Sequence, residues 1–231
     1  MVGLSGGPSP DGDSPRYVEL AARSAFTLLE GASTPEALAE RAGEVGAPAL
    51  ALTDRFDLGG AVRFARACRA EGVEPLVGGE VRREGWPPVV LLCRNREGYA
   101  NLSSLITRAR RSNPRGEPSL PRGAVKGRTQ GLVALPRVVA GGGDVSAETS
   151  PFLEELDRLF GDRLYLALEH HGLPEEARAC AAWVERAEDA GIPWLPVNAP
   201  LYARPRDRIV QDVLTCLRHD VTLDEIGRAH V

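Results

Sequence analysis

The sequence predicts an α/β fold in which parallel strands alternate with helices. Short runs rich in valine and leucine recur along the chain, separated by segments of helical period. Of its 231 residues, 43% are apolar, which is ample for a buried core and excludes wholesale disorder. At roughly 100–200 residues per domain, the length suits one large domain or two small ones.

In chain order the strand candidates are 17–21 (YVELA), 48–53 (PALALT), 75–81 (PLVGGEV), 88–93 (PVVLLC), 131–135 (GLVAL), 163–169 (RLYLALE) and 194–198 (WLPVN). The helix candidates between and after them are 34–46, 59–71, 97–110, 151–160, 174–190 and 205–218. The first helix has the clearest start. Ser33 stands three residues before Glu36, as in a capping box, and Pro35 falls in the first turn. Gly46 closes that helix, and Pro48 opens the next strand. Asp207, near the start of the last helix, suits its dipole. Seven strands with six helices fit either a closed or nearly closed barrel or a doubly wound sheet, and periodicity does not choose between them. In both, functional side chains gather at the carboxyl ends of strands, here just after Leu20, Thr53, Gly79, Glu169 and Val197.

Two stretches break the pattern. Residues 1–15 are mostly glycine, proline, serine and aspartate without periodicity and read as a disordered leader. Residues 111–130 are rich in turn formers and belong to a basic block. From Arg94 to Arg128 the chain carries Arg94, Arg96, Arg108, Arg110, Arg111, Arg115, Arg122, Lys126 and Arg128 against only Glu97 and Glu117. Most such runs are solvated faces, but Arg108, Arg110, Arg111, Lys126 and Arg128 are candidates for contact with a nucleic-acid backbone. Gly141-Gly142-Gly143 lacks the lysine and spacing of a phosphate loop and reads as a flexible turn.

The net charge of −4 argues against a dedicated nucleic-acid-binding module. No apolar run approaches the ~18 residues of a membrane span, and the first residues lack the basic and apolar regions of a signal peptide. A soluble, cytoplasmic protein with no membrane partner is expected. Cys68, Cys93, Cys180 and Cys216 form no CxxC pair and read as reduced thiols, mostly in the core.

The run YVELAARSAFTLLEGASTPEALAERAGEVGAPALALTDRFDLGGAVRFARA resembles the N-terminal PHP (polymerase and histidinol phosphatase) domain of bacterial C-family DNA polymerases, especially the error-prone alpha-subunit type. LVGGEV, NREGYANLSSLITRA, GLVAL, FGDRLYLALEHHG and PVNAPLYARPRDRIVQDVLTCLRHDVTLDE extend the resemblance, which spans about residues 17–225. It implies a distorted, TIM-barrel-like (β/α)7 barrel over 16–225, with a divalent-metal cluster at its mouth in active members.

The motifs of that metal site are altered here. The His-x-His after the first strand reads Ala21-Ala22-Arg23, and the Asp-His pair after the second reads Asp54-Arg55. The glutamate after the third strand remains as Glu80, and His170 or His171 stands at the sixth strand end. The last motif, Asp-x-His before a tyrosine, reads Ala199-Pro200-Leu201 before Tyr202. Hydrolytic zinc or manganese needs several nitrogen or carboxylate ligands, and Asp54, Glu80 and His171 would make at most one poor site. Arg23 and Arg55 are therefore expected to pair with Asp54 and Glu80 in place of metal; gripping a phosphate is the rival use of the two forks.

The resemblance implies a non-catalytic scaffold in an error-prone polymerase. Its partners would be the remainder of the polymerase chain, DNA through the parent enzyme, and replication or mutasome proteins. Magnesium would belong to the polymerase core. The alternatives are a metal-dependent phosphoesterase or 3′–5′ exonuclease with a reduced site, and a stand-alone DNA-binding barrel. Ile226 to Val231 read IGRAHV, one frame of a widely used sequencing adapter, and are expected to be an artefact of a truncated gene.

Overall fold

The computed structural model describes residues 17–139, 150–172 and 174–226. The expected leader, the triple-glycine turn and all but Ile226 of the adapter-like end lie outside them. Seven strands form one sheet in the order of the sequence: β1 (Glu19–Ala22), β2 (Ala49–Leu52), β3 (Glu74–Val81), β4 (Val89–Cys93), β5 (Leu132–Val139), β6 (Leu166–Glu169) and β7 (Trp194–Val197). The helices are α1 (Pro35–Glu44), α2 (Ala61–Ala70), α3 (Arg96–Arg111), α4 (Ser150–Phe160), α5 (Pro174–Asp189), α6 (Arg208–His219) and the short α7 (Leu223–Ile226).

Sequential strand order bends the sheet toward closure, and the ends of β1 and β7 meet through loop contacts. Arg23 N donates to Pro200 O at 3.1 Å, Ala32 N to Leu201 O at 2.7 Å, and Asn198 N to Glu19 Oε2 at 3.0 Å. The result is a nearly closed barrel rather than a doubly wound sheet. Its interior is lined by Ala21, Val90, Leu135, Ala167, Val197 and Ala199, mostly small side chains. Larger apolar groups fill the layers between sheet and helices, where Leu102, Leu105, Ile106 and Ala109 give α3 its buried stripe.

The expectation of parallel strands fails at β4, which runs antiparallel to both β3 and β5. The 82–88 connection is too short for the crossover of a dozen or more residues that a parallel neighbour needs. The expected capping box does not form, and the cap moves by one residue. Thr34, not Ser33, caps α1, its hydroxyl accepting from Ala37 N at 3.2 Å. Ser33 instead accepts from Ala203 N at 2.8 Å and donates to Asp207 at 3.3 Å, tying α1 to the start of α6. A bare backbone joins α3 to β5, because a side chain at Gly98 would lie 1.9 Å from Gly131 O.

All four cysteines are free; Cys68 and Cys216 are buried. Burial pushes the Cys93 thiol up to about 12 and, with help from the Glu74 charge, Cys68 up to about 11. No helix among the described residues is long and apolar enough to cross a membrane.

Candidate functional site at the barrel mouth

The carboxyl ends of β1, β2, β3, β5 and β6 bring Arg23, Asp54, Arg55, Glu80, Arg137 and Glu169 to one mouth. Glu80 is its centre. Its residue is fully buried, and its backbone is fixed to the β2 end by Phe56 N donating to Glu80 O at 2.9 Å and Glu80 N donating to Asp54 O at 3.1 Å. Arg137 Nη1 contacts Oε2, and Arg23 Nη1 lies 3.9 Å from the same oxygen. Arg82 Nε donates to Oε1 at 3.1 Å; Arg55 Nε stands 3.4 Å from it without hydrogen-bond alignment. Burial alone would raise the Glu80 pKa, but the guanidiniums of Arg137, Arg23, Arg82 and Arg55 outweigh it and hold the carboxyl below its ordinary value.

A second glutamate extends the network. Glu30, in the loop after β1, contacts Arg55 Nη2, accepts from Arg23 Nη1 at 3.1 Å and pairs with Arg218 Nη1 of α6 at 2.5 Å. On the far side Arg137 Nη2 donates to Glu169 at 2.6 Å. Glu169 Oε1 lies 3.1 Å from His171 Nε2, and Glu176 Oε1 lies 3.1 Å from His171 Nδ1. Arginine–carboxylate contacts thus run from α6 across the mouth to the β6 end.

Asp54 stands apart. It receives Ser24 N and Ser24 Oγ, both at 2.7 Å, and Thr27 Oγ1 at 2.8 Å, and among the described residues it makes no ion pair. Burial raises its pKa against these hydrogen bonds. The expected pairing of Arg23 and Arg55 is therefore corrected in part: both approach Glu80, but Glu30 takes the place of Asp54. Two hydroxyls and an amide occupy most of the acceptor sites of Asp54, while Glu30 offers both oxygens to the arginines.

The remaining candidates lie around this core. Ala21 and Ala199 are buried in the barrel interior, Ala199 with a φ of 47°, while Leu201 contributes its carbonyl to barrel closure. His170 is exposed and its Nδ1 accepts from Gly172 N at 3.2 Å. Within the basic block, Arg110 is paired with Asp57 and Arg128 Nη1 reaches Ala124 O at 3.4 Å. Arg108 and Arg111 share one face of α3 with Tyr99, Ser103, Ser104 and Thr107, and Lys126 is exposed. Sequence reasoning missed Glu30, Arg82, Arg137, Glu176 and Arg218. Arg137 alone had a signal, a single charge inside LVALPRVV, hidden because the strand was ended at Pro136.

Among the described residues no three His, Cys, Asp or Glu side chains are grouped to hold a metal ion. Nor do the residues at the mouth fit one. A guanidinium has no lone pair to donate, and here guanidiniums contact the oxygens a metal would need.

A family model described as the PHP domain matches residues 19–188. The DNA polymerase III subunit alpha of Caulobacter vibrioides is 34% identical over 96% of this chain and 21% of its own length. Error-prone DNA polymerases of Xanthomonas campestris and an Anaeromyxobacter species are each 38% identical, over 94% and 93% of this chain. The chain spans about a fifth of the length of these relatives, so each matched region is part of a much longer polymerase chain. Among solved structures, a putative metal-dependent phosphoesterase from Bifidobacterium adolescentis superposes with a TM-score of 0.57 at 14% identity, covering 83% of this chain and 90% of its own. An amidohydrolase from Chromobacterium violaceum gives 0.53 at 17%, covering 82% and 89%. The fold is that of these barrels, and the chain belongs to the PHP domain family, within the branch carried by bacterial DNA polymerase III alpha and error-prone polymerases.

Proposed function

We propose that this chain is the PHP domain of an error-prone, C-family DNA polymerase in which guanidiniums have replaced the metals, leaving a scaffold without hydrolytic activity. The observation that carries this reading is the fully buried Glu80, approached by Arg23, Arg55, Arg82 and Arg137. In a metal hydrolase that carboxylate would be free to ligate, and the mouth would keep an open position for water. Here its oxygens are held by fixed cations that do not deprotonate. In the parent enzyme the domain supports translesion synthesis, and nucleotide addition belongs to the polymerase body.

The same contacts weigh against a phosphoesterase or exonuclease with a reduced site, because Asp54, Glu80 and His171 do not meet: Asp54 faces Ser24 and Thr27, and His171 faces Glu169 and Glu176. The reading is tested by elemental analysis of the purified chain and by melting. Arg23→Ala and Arg55→Ala should each lower Tm clearly more than Arg178→Ala at an exposed position. Stoichiometric bound metal, or three equal and small effects, would overturn it.

One observation favours a second role beside the scaffold. The α3 face formed by Tyr99, Ser103, Ser104, Thr107, Arg108 and Arg111 offers hydroxyls and two cations suited to phosphodiester oxygens. Neutralising Arg108 and Arg111 should flatten the salt dependence of DNA binding by about 0.9 per lost phosphate contact on duplex. Salt-independent binding by the unaltered chain would remove this role.

A further inference from the structure

The last long helix is attached to the barrel in an unusual way. Two polar contacts tie it to the rest of the domain: Arg218 reaches Glu30, and Asp207 at its start accepts from Ser33. Within α6 only Cys216 is buried. Leu214 is half-buried, but the other four large apolar residues of the helix face water. Ile209 is 59% exposed, Leu217 65%, and Val210 and Val213 more than 40% each; Val221 and Leu223 continue the patch. Positions 209, 213 and 217 repeat at four-residue spacing, so they form a stripe along one side of the helix. Leu28 and Leu29, immediately before the Glu30 that Arg218 reaches, are exposed as well. A contiguous apolar stripe of this kind marks a surface that another protein surface covers.

We propose that the α6–α7 apolar face is the seat of the polymerase body, an inference that rests on the domain being part of a C-family polymerase. Two observations select this occupant. The PHP family match ends at residue 188, before α6. The Caulobacter polymerase match continues through it, because 96% coverage leaves fewer residues unmatched than the 220–231 segment that follows α6. The helix therefore lies in the part that the chain shares with polymerases, as does β7, the barrel strand that the family match also stops short of. About four-fifths of such a polymerase lies outside the matched part and supplies the surface that would cover the stripe. Because Arg218 leaves the same helix to hold Glu30, the seat is also joined directly to the arginine-held mouth.

The test uses a full-length polymerase in which residues 17–226 replace the matching fifth of the Xanthomonas campestris error-prone enzyme. A photo-reactive amino acid is placed at Ile209, at Leu217 or, as a control, at Val62 on the exposed side of α2. Cross-links to polymerase-body peptides from positions 209 and 217, and none from 62, are expected. Ile209→Glu with Leu217→Glu should cut primer extension about tenfold or more, while the Tm of the 231-residue chain alone stays within error. Cross-linking no stronger than from 62, extension unaffected by the double change, or a chimera that neither extends nor cross-links would overturn the proposal. So would sedimentation of the 231-residue chain as a dimer that the same changes dissolve, which would assign the stripe to a second copy. Failure of the non-catalytic reading is separately visible, as retained metal that changes on α6 do not affect.

Discussion

Two carboxylates on neighbouring strand ends show how differently one barrel mouth treats buried charge. Asp54 is held by Ser24, Thr27 and a backbone amide, a neutral shell, and its pKa is pushed up by burial. Glu80, whose amide donates to the carbonyl of Asp54, is held by arginines and is pulled down despite deeper burial. The neutral shell leaves the proton on Asp54 negotiable; the cationic shell fixes Glu80 as an anion. On the Glu80 side Arg23, Arg55 and Arg137 are each tied to a second carboxylate, so removing one of them or Glu80 strands several others; Arg82 is the exposed partner. On the Asp54 side the partners are two hydroxyls and a backbone amide, none of them charged.

The largest expected effect follows from that asymmetry. Glu80→Gln removes the anion between Arg137 and Arg23 and should destabilise the domain by about 3–5 kcal/mol, the range for breaking a buried pair. Asp54→Asn keeps one acceptor and should lose about 1–3 kcal/mol. Urea unfolding at pH 7 gives both numbers. If Asp54→Asn proves the more costly, the assignment of the anchoring role to the Glu80 side is wrong. Arg137→Ala belongs with Glu80→Gln, since it leaves Glu80 and Glu169 facing each other without the fork that bridges them.

The same contrast has opposite signs against pH. Glu80 has a folded pKa below its unfolded one, so its contribution is complete above the ordinary carboxylate range and is lost as pH falls through the depressed value. Asp54 has a folded pKa above its unfolded one, so its contribution is complete below the unfolded value and is lost as pH rises through the folded one. Glu80→Gln should therefore flatten the acid limb of the stability profile. Asp54→Asn should recover stability relative to the unaltered chain as pH climbs past the Asp54 titration. Midpoints measured from pH 3 to pH 8 read both, and two variants running parallel to the parent would remove the distinction.

How much of this was legible in sequence depends on whether the signal is local. Each strand and main helix declares itself by period and boundary residues, which is why all seven strands fall where the apolar runs lie. Antiparallel β4 was equally local, in the brevity of the 82–88 segment, but the alternation of elements concealed it. The mouth was half legible. Arg23, Asp54 and Arg55 follow strands and Glu80 stands near the end of one, and the altered motifs of the resemblance point to each. Glu30 lies in a loop and Arg218 on the last helix, and nothing within either segment distinguishes them from solvated charges. Their pairing across the 24–31 loop is a property of the closed barrel, and the same closure turned Arg23 and Arg55 toward Glu30 and away from Asp54.

The smallest effects sharpen the comparison from the Asp54 side. Ser24 Oγ donates to Asp54 and accepts from Phe26 N at 3.2 Å; Thr27 Oγ1 donates to Asp54 and accepts from Arg55 N at 3.0 Å. Each hydroxyl thus ties the carboxylate to the backbone that carries the mouth loop. Ser24→Ala leaves Ser24 N bonded to Asp54 and should lose about 1 kcal/mol, an ordinary hydrogen bond. Thr27→Val keeps the shape but, like Ser24→Ala, removes a hydroxyl that serves both an acceptor and a backbone donor, and its loss should be about 1–3 kcal/mol. Either change removes a bond that favours the charged form, so Asp54 should titrate at still higher pH, by carboxyl-resolved NMR, in both variants. The Glu80 side should be untouched, because neither hydroxyl reaches an arginine side chain of the network. A shift of the Glu80 titration in Thr27→Val would show instead that Arg55, through its backbone bond to Thr27, couples the two carboxylates into one unit.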